Sequence, residues 1–272
     1  MAIHVGIGGW IFAPWRGAFY PKGLRQASEL QYASRRVTSI EINATFYRTA
    51  SRSSFRRWAA ETPDDFVFSV KGPRFVTNRP LTEATPALQR FFDSGVTELA
   101  AKLGPILWQL PPTKKFAPDD ISAFLALLPR EHEGRPIRHA LEVRHDSFRD
   151  PAFVALMRGA NVPIVYADTD DYPSIADVTG DFVYARLMRS SEDEPAGYSA
   201  PALNEWAARV RDWAAGRQPK DLPYLSEPAA PARPRDCFVY FIAGAKVRAP
   251  AAAMALLDRL GEGTRNHRPK SP

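Results

Sequence analysis

Two charged side chains stand in a stretch that otherwise has the composition of a buried strand. Between His139 and Arg144, strand alternation places Glu142 and Arg144 on one face and the apolar Leu141 and Val143 on the other. Burying a carboxylate and a guanidinium costs several kcal/mol each unless the charges pair or meet a ligand. The stretch therefore predicts a site that transfers protons through Glu142 and holds an anion through Arg144.

The same alternation sends polar side chains inward from most of the other predicted strands. The inward set comprises Glu41, Asn43 and Thr45 of the second strand, Lys71 of the third, Gln109 of the fourth, Glu142 and Arg144 of the fifth, Asp168 of the sixth and Arg186 of the seventh. Barrel interiors are usually filled by branched aliphatic side chains. The set thus favours an active or ligand site, and a structural ion-pair network is the alternative.

We predict a role for each of these residues from its chemistry. The candidate acid/base residues are Glu41, Glu142 and Asp168, and the candidate ligand-binding residues are Trp10, Asn43, Tyr47, Lys71, Gln109, Arg144, His145 and Arg186. Lysine and arginine side chains suit an anionic group, and aromatic rings suit a sugar or a base. Aromatic side chains that merely plug the barrel mouth are the alternative for Trp10 and Tyr47.

The pair Glu142 and Arg144 allows two outcomes for a substitution. A structural pair would lose about 3 to 5 kcal/mol of stability in a Glu142→Gln variant, because a buried cation would be left uncompensated. A pair tuned for a ligand would lose ligand binding and keep its stability. The sequence favours the second outcome, because Glu41, Lys71 and Arg186 are expected at the same mouth.

Short β-rich runs alternate with helical segments along the chain. The predicted strands are Ile3 to Trp10, Ser39 to Tyr47, Phe66 to Gly72, Pro105 to Pro111, His139 to Arg144, Val162 to Asp168, Phe182 to Met188 and Cys237 to Ala243. This pattern predicts a single (β/α)8 barrel of the TIM type, an α/β fold, with an open doubly wound sheet as the alternative. A long helix is expected from Thr85 to Leu103 and only a weak turn near Tyr172 to Ile175.

The chain of 272 residues has room for one large barrel domain. We expect this domain to span residues 1–261, followed by a basic, flexible tail over residues 262–272. The acidic segment Ser190 to Tyr198 follows the seventh predicted strand and is a candidate lid, since barrel enzymes place their sites at that end. The Pro-rich segment Gly216 to Asp236 is expected to be a surface connection.

Composition excludes several classes of protein. The single cysteine, Cys237, rules out an internal disulfide and a Cys-rich metal cluster. Neither a signal peptide nor a membrane span is recognisable, so we expect a cytoplasmic protein with no membrane partner. Phosphate-loop, serine-hydrolase and zinc-peptidase motifs are missing. No cofactor is predicted, and a divalent metal is the lesser alternative because nearby cations oppose it.

Several short motifs together resemble the YecE-like family, a family of unknown function. They are Gly8-Gly9-Trp10, Trp15 with Phe19-Tyr20-Pro21, Glu41-Ile42-Asn43 with Thr45-Phe46-Tyr47, Phe68 to Lys71, Gln109 to Pro112 and Glu142 to His145. The likeness extends from Gly6 to about Leu260. The resemblance implies a (β/α)8 barrel, and it does not imply a particular activity.

Two places depart from the pattern of that family. Its seventh strand usually ends Arg-x-His-Gly, where this chain has Arg186-Leu-Met188-Arg, and its last strand usually reads Phe-Asn-Asn, where this chain has Phe-Ile242-Ala243. These departures favour a divergent subgroup with an altered substrate, and an enzyme that has lost its activity is the alternative.

The sequence leaves two main functions open. One is an enzyme of hydrolase, lyase or isomerase type that acts on a small anionic molecule such as phosphate, a sugar phosphate or a nucleotide. The other is a protein that binds nucleic acid or nucleotides, and a non-catalytic metabolite binder is a third. The formal charge of +6 favours nucleic acid only weakly, because Arg265, Arg268 and Lys270 against Glu262 place +2 of it in the tail. Acidic side chains at a surface for polyanions favour the enzyme.

Overall fold

The fold is a parallel barrel, seen in a computed structural model that describes residues 1–227 and 232–261. Its strands are β1 (Ile3–Gly8), β2 (Ser39–Ile42), β3 (Val67–Lys71), β4 (Leu103–Gln109), β5 (His139–Glu142), β6 (Tyr166–Asp168), β7 (Phe182–Leu187) and β8 (Asp236–Phe241). They form one sheet in the order β5-β4-β3-β2-β1-β8-β7-β6. The Leu141 N–H donates to the Pro163 carbonyl at 3.0 Å and the Val165 N–H to the Leu141 carbonyl at 2.9 Å, which joins the two ends of the sheet.

Helices follow the strands as in a barrel, with two after β3 and none after β6. They are α1 (Glu29–Ala33), α2 (Arg52–Glu61), α3 (Arg74–Thr77), α4 (Thr85–Asp93), α5 (Pro118–Leu127), α6 (Pro151–Gly159), α7 (Ala200–Ala214) and α8 (Ala249–Leu260). The prediction of a (β/α)8 barrel is confirmed, and the open doubly wound sheet is not the fold. The tail over residues 262–272 and part of the Pro-rich connection lie outside the described residues.

Two connections differ from the prediction. The long helix expected from Thr85 to Leu103 is divided, because Gly95 takes a φ of 92° after α4 and a 3-10 segment, Val96–Lys102, leads into β4. Between β6 and β7 the chain forms no helix, so the weak turn expected near Tyr172 does not extend into one. That connection leaves Tyr172 beside the end of β5, where it contacts Arg144.

The barrel interior has an apolar layer beneath a polar one. The apolar layer consists of Leu107, Ala140, Val165, Phe182, Tyr184, Phe238 and Tyr240. Within it, the Tyr240 hydroxyl lies 2.7 Å from Ser39 Oγ and 2.6 Å from Ser69 Oγ, so its polar tip is satisfied. A Cβ atom on Gly6 would lie 1.9 Å from the Ser39 carbonyl oxygen, so β1 needs glycine here to pack against β2.

On the helix-facing side, a buried histidine stabilises the start of β5. Trp108 Nε1 donates a hydrogen bond to His139 Nδ1 at 3.0 Å, and His139 Nε2 therefore carries the proton and donates to the Pro129 carbonyl at 2.8 Å. Burial lowers the pKa of His139 to about 4, since the imidazolium would lose its water. The neutral ring is thus part of the core around Trp108.

We predict that His139 makes the protein sensitive to mild acid. Its folded-state pKa of about 4 lies below its ordinary value of 6.5, so the unfolded chain binds the extra proton between those two pH values. The contribution of neutral His139 to the free energy of unfolding should be complete above pH 6.5. Between pH 6.5 and about 4 the free energy of unfolding should fall by up to about 1.4 kcal/mol for each pH unit. Urea denaturation from pH 7 down to 5 measures this slope.

The matched control is His139→Gln, which keeps one donor and one acceptor and does not titrate. The other histidines remain in both proteins, so their contributions cancel. The variant should lose most of the slope over this range. The same slope in both proteins would show that His139 is not the group that takes up the proton.

Candidate active site

An arginine lies between two carboxylates at the carboxyl end of the barrel. Arg186 of β7 donates from Nη2 to Glu41 Oε1 at 3.1 Å and from Nη1 to Glu142 Oε2. The three side chains come from β7, β2 and β5, and all of them are buried. Because buried charges are stable only when they are compensated, these contacts fix the positions of the three strand ends relative to one another.

The remaining carboxylate oxygens also have partners. The Tyr184 hydroxyl donates to Glu41 Oε2 at 2.7 Å. Gln109 Nε2 and Arg144 Nε each donate to Glu142 Oε1 at 2.8 Å. Each of the four oxygens of the two carboxylates therefore accepts at least one hydrogen bond from a side chain.

These contacts determine the ionisation of the cluster. Burial alone would raise the pKa of Glu142, but Arg186, Arg144 and Lys71 lower it to about 2. For Arg186, the two carboxylates outweigh burial and raise the pKa. Glu142 is therefore a carboxylate at neutral pH and holds no proton to donate, so of the acid/base role predicted from the sequence it cannot supply the acid part.

Lys71, the last residue of β3, is a cation of the mouth that has no carboxylate partner in the part of the chain that the structure describes. Its side chain is buried, and Nζ lies 3.8 Å from the centre of the Phe46 ring. Within the described residues, Nζ forms no hydrogen bond and has no carboxylate oxygen within 4.0 Å. Desolvation and the charge of Arg186 lower its pKa to about 8, although Glu41 and Glu142 act in the opposite direction.

Arg144 is the cation nearest to solvent. Its side chain is 20% exposed, and while Nε contacts Glu142, Nη1 donates to the Tyr172 hydroxyl at 3.3 Å. The guanidinium carbon lies 4.3 Å from the centre of the Tyr172 ring. Nη2 makes no hydrogen bond to the described part of the chain, so this edge of Arg144 is available to a ligand.

The rim of the mouth is formed by the loops after β1, β2 and β8. A Cβ atom on Gly8 would lie 2.9 Å from Asn43 Nδ2 and 3.3 Å from Ile242 Cδ1, so both side chains lie over Gly8. Tyr47 is 68% exposed and packs edge-on against Phe46, with ring centres 5.2 Å apart. Lys71, Phe46 and Tyr47 thus form a continuous wall from the interior to the surface.

The structure brings most of the predicted inward residues together. Glu41, Lys71, Gln109, Glu142, Arg144 and Arg186 interact directly or through their charges, and Asn43 lies at the rim. Thr45 is inside for a different reason, because β2 ends at Ile42 and a 3-10 turn follows. Its hydroxyl donates to the Lys71 carbonyl at 2.7 Å and so anchors the end of β3.

The inward position predicted for Asp168 is wrong. In β6 Ala167 pairs with Arg186, and Asp168 pairs with Leu187, which belongs to the helix-facing core. Neighbouring residues of parallel strands share a face, so Asp168 points away from the mouth. Its carboxylate lies 3.0 Å from Arg189 instead, and desolvation raises its pKa.

Asp168 lines a separate cleft beside α7. The cleft has a volume of about 360 Å³ and is lined by Asp168, Arg189, Ser191, Glu194, Gly197, Tyr198, Ser199, Ala202, Glu205, Trp206 and Arg209. The segment predicted as a lid, Ser190 to Tyr198, forms one wall of this cleft. Its backbone is held by the bonds Ser191 N–H to Gly197 carbonyl and Ala245 N–H to Ser190 carbonyl, at 2.8 and 2.9 Å.

Two other predicted ligand-binding residues lie apart from the charged cluster. Trp10 packs against Trp58 of α2 and against Phe68, with ring centres 5.1 and 6.4 Å apart, on the helix-facing side of β3. His145 accepts the Ser147 N–H at 3.1 Å through Nδ1 and caps a short 3-10 turn. Packing and capping account for the positions of both residues.

Sequence reasoning missed two tyrosines of the site. Tyr184 lies two residues before Arg186 on the same strand face, so the alternation that identified Arg186 also identifies Tyr184. Tyr172 comes from the helix-free connection after β6, and no local pattern indicates that its hydroxyl reaches Arg144.

Neither a metal-binding cluster nor a membrane-spanning helix occurs among the described residues. Across residues 1–227 and 232–261, no three side chains of the His, Cys, Asp and Glu types are grouped so that they could hold a metal ion. In the same ranges, no helix is long and apolar enough to cross a membrane.

A parallel barrel with a charged mouth of this kind defines an α/β protein of the TIM-barrel class. The family model described as "Protein of unknown function DUF72" matches residues 4–272, and the chain belongs to this family. It is 29% identical over 150 residues to the UPF0759 protein YecE of Escherichia coli K12 and 27% identical over 157 residues to YunF of Bacillus subtilis. The alignments cover 54% and 56% of this chain and 50% and 54% of those relatives, so the match spans about half of their length.

Solved structures of the same family share the fold. A DUF72 family protein of Thermotoga maritima superposes with a TM-score of 0.73 at 24% identity, covering 96% of this chain and 100% of the other. One from Enterococcus faecalis gives a TM-score of 0.68 at 14% identity, covering 95% of each chain. At these identities the likeness shows the fold alone.

The departure in the last strand has a structural consequence. Ala243 takes a φ of 62°, a left-handed conformation in which asparagine and glycine are the favoured residues. An asparagine at this position would suit this backbone better than alanine does. Ile242 turns an apolar side chain toward Gly8, so the amide group at this part of the rim comes from Asn43.

We predict that Glu142→Gln destabilises the protein by about 3 to 5 kcal/mol. Its carboxylate compensates Arg186 and Arg144, and a neutral amide would leave Arg186 with only Glu41 inside the barrel. The pairing in the structure thus reverses the expectation from sequence that stability would be unchanged. Urea denaturation at pH 7 measures the loss.

Glu98→Gln is the matched control, since Glu98 is also shared by two arginines, Arg52 and Arg56, but at the surface. Water screens that pair, so the control should lose much less stability than Glu142→Gln. Equal losses in the two variants, or no loss in Glu142→Gln, would contradict a structural role for Glu142.

Proposed function

We propose that the protein is an enzyme that binds a small anionic substrate at the barrel mouth through Lys71 and Arg144. The observation that carries the proposal is the charge of the mouth. Glu41 and Glu142 face three cations, Lys71, Arg144 and Arg186, and the two carboxylates are already occupied by the two arginines. The charge of Lys71 is therefore left for a ligand.

The proposal gives the two arginines different tasks. Arg186 is 2% exposed and uses its Nη atoms on Glu41 and Glu142, so binding a substrate anion there would break both contacts. Arg144 keeps one edge free toward solvent. We therefore assign substrate contact to Lys71 and Arg144, and positioning of the strand ends to Arg186 with Glu41 and Glu142.

The shape of the mouth suits a compact ligand. Charged groups lie inside, and Asn43 and the exposed ring of Tyr47 lie at the rim, an arrangement that fits an anionic head and a polar or ring-shaped body. Phosphate esters, sugar phosphates and small carboxylates have this form. The proposal needs no metal or cofactor.

Nucleic acid is the second candidate, favoured by one observation. The guanidinium carbon of Arg74 lies 5.6 Å from the centre of the exposed Tyr47 ring, a pairing that could stack a base and contact its phosphate. A polyanion would contact many cations and bind with a steep dependence on salt, whereas a small anion at Lys71 and Arg144 gives a shallow one. We favour the small anion because the cations of the mouth lie inside the barrel.

We predict that sulfate binds to the mouth and that Lys71→Met weakens this binding by about tenfold or more. Methionine preserves the apolar length of the side chain and removes the charge. Sulfate keeps its charge across the pH range, so affinity should fall as pH rises through about 8 and Lys71 loses its proton. Isothermal titration at pH 7 and at pH 9.5 measures both effects.

Lys115→Met is the control, because Lys115 is an exposed lysine of the loop after β4. It should bind sulfate as the unsubstituted protein does. Identical affinity in Lys71→Met and in the control would remove Lys71 from the site and, with it, the observation on which the proposed function rests.

A further inference from the structure

We infer that Lys71 forms an imine with its substrate, so that the substrate is a small anionic aldehyde or ketone. This inference rests on the proposed function of the mouth and names its substrate class. It uses a feature that anion binding alone leaves unexplained, which is that a largely buried lysine side chain places its amine over an aromatic ring, with no carboxylate partner among the described residues.

The placement of Lys71 is unusual for a residue that only binds an anion. An anion-binding lysine works as a flexible, hydrated point charge, so burial weakens that role. Here the amine lies over the Phe46 ring at 3.8 Å, and the Thr45 hydroxyl fixes the backbone at the Lys71 carbonyl. The side chain is thus held in one place at the carboxyl end of a barrel strand, where barrel enzymes place their reacting groups.

The surroundings of the amine favour its neutral, nucleophilic form. The charged groups that face it are Arg186 from β7, Arg144 after β5, Glu41 from β2 and Glu142 from β5. Both carboxylates are occupied by hydrogen bonds from other side chains, so neither forms an ion pair with the amine. Desolvation next to other cations is the arrangement that activates lysine as a nucleophile.

The chemical step is balanced without any added reagent. The ammonium of Lys71 first releases a proton, and the nitrogen lone pair then attacks the carbonyl carbon while the C=O pair moves to oxygen. The carbinolamine takes a proton on its hydroxyl and expels water. In sum, one ammonium and one carbonyl give one protonated imine and one water, and the charge of the site does not change.

The remaining groups of the mouth suit the imine. The positive charge stays where the ammonium stood, so Glu41 and Glu142 stabilise it as before. The free edge of Arg144 binds the anionic substituent, because its Nη2 is available. A protonated imine withdraws electrons from the neighbouring bonds, so the reaction class is a lyase or an isomerase that breaks a bond next to the carbonyl.

Reductive trapping tests the imine. The full-length protein is incubated at pH 8 with pyruvate or dihydroxyacetone phosphate, treated with sodium borohydride and mapped by peptide mass spectrometry. Borohydride turns an imine into a stable secondary amine, so the mass of one carbonyl probe less one oxygen atom should appear on Lys71. The fraction modified should exceed that of the exposed Lys115 at least several-fold.

Two variants control the experiment. Lys71→Arg cannot form this adduct, so it should lose the modification. Lys115→Arg should leave the modification of Lys71 unchanged. Circular dichroism shows whether each variant is folded. If a variant does not fold, the peptide map of the unsubstituted protein still compares the modification of Lys71 with that of Lys115.

The outcomes separate this inference from the proposed function. Sulfate binding that depends on Lys71, together with no adduct at Lys71 or with equal modification at Lys115, overturns the imine and keeps the anion site. Sulfate binding that does not depend on Lys71, together with no adduct at Lys71 of the unsubstituted protein, overturns both proposals. An adduct confined to Lys71 supports the imine.

Discussion

The bridge from Glu41 through Arg186 to Glu142 is the interaction on which the mouth of the barrel depends. It joins β2, β7 and β5 across the interior, where water cannot compensate an unpaired charge. The other oxygen of each carboxylate, which does not contact Arg186, also accepts hydrogen bonds. The donors are the Tyr184 hydroxyl, the Gln109 amide and Arg144. With both carboxylates occupied in this way, the mouth has a fixed framework of charge before any ligand enters.

Among the described residues, Lys71 is the cation of the mouth that this framework leaves without a carboxylate partner. Its neighbours contribute opposing effects: Glu41 and Glu142 favour the ammonium, while burial and Arg186 oppose it and prevail. An amine in this position is either neutralised by an incoming anion or stripped of its proton. Both the anion site and the imine depend on this uncompensated charge of Lys71. The bridge from Glu41 through Arg186 to Glu142 keeps the surrounding strand ends in place.

Strand alternation predicted the barrel and most of the mouth because β2, β3, β5 and β7 carry polar residues at every second position among apolar ones. It failed for Asp168, since the run before it is apolar at nearly every position and does not show which face points inward. The face of β6 is set by its pairing with Arg186 and Leu187 across the sheet. Sequence also could not show that Lys71 is unpaired, because this depends on the three-dimensional partners of the other charges.

The most direct test of the central claim is the ionisation of Lys71 itself. An NMR titration of protein with ¹³C-labelled lysine side chains, with Lys71→Arg to assign the resonance, reports the pKa of this amine without any ligand. Burial and the charge of Arg186 predict that the Lys71 amine titrates with a midpoint near pH 8. A midpoint at or above the ordinary lysine value of 10.5 would contradict it, because the amine would then be solvated or paired with a carboxylate.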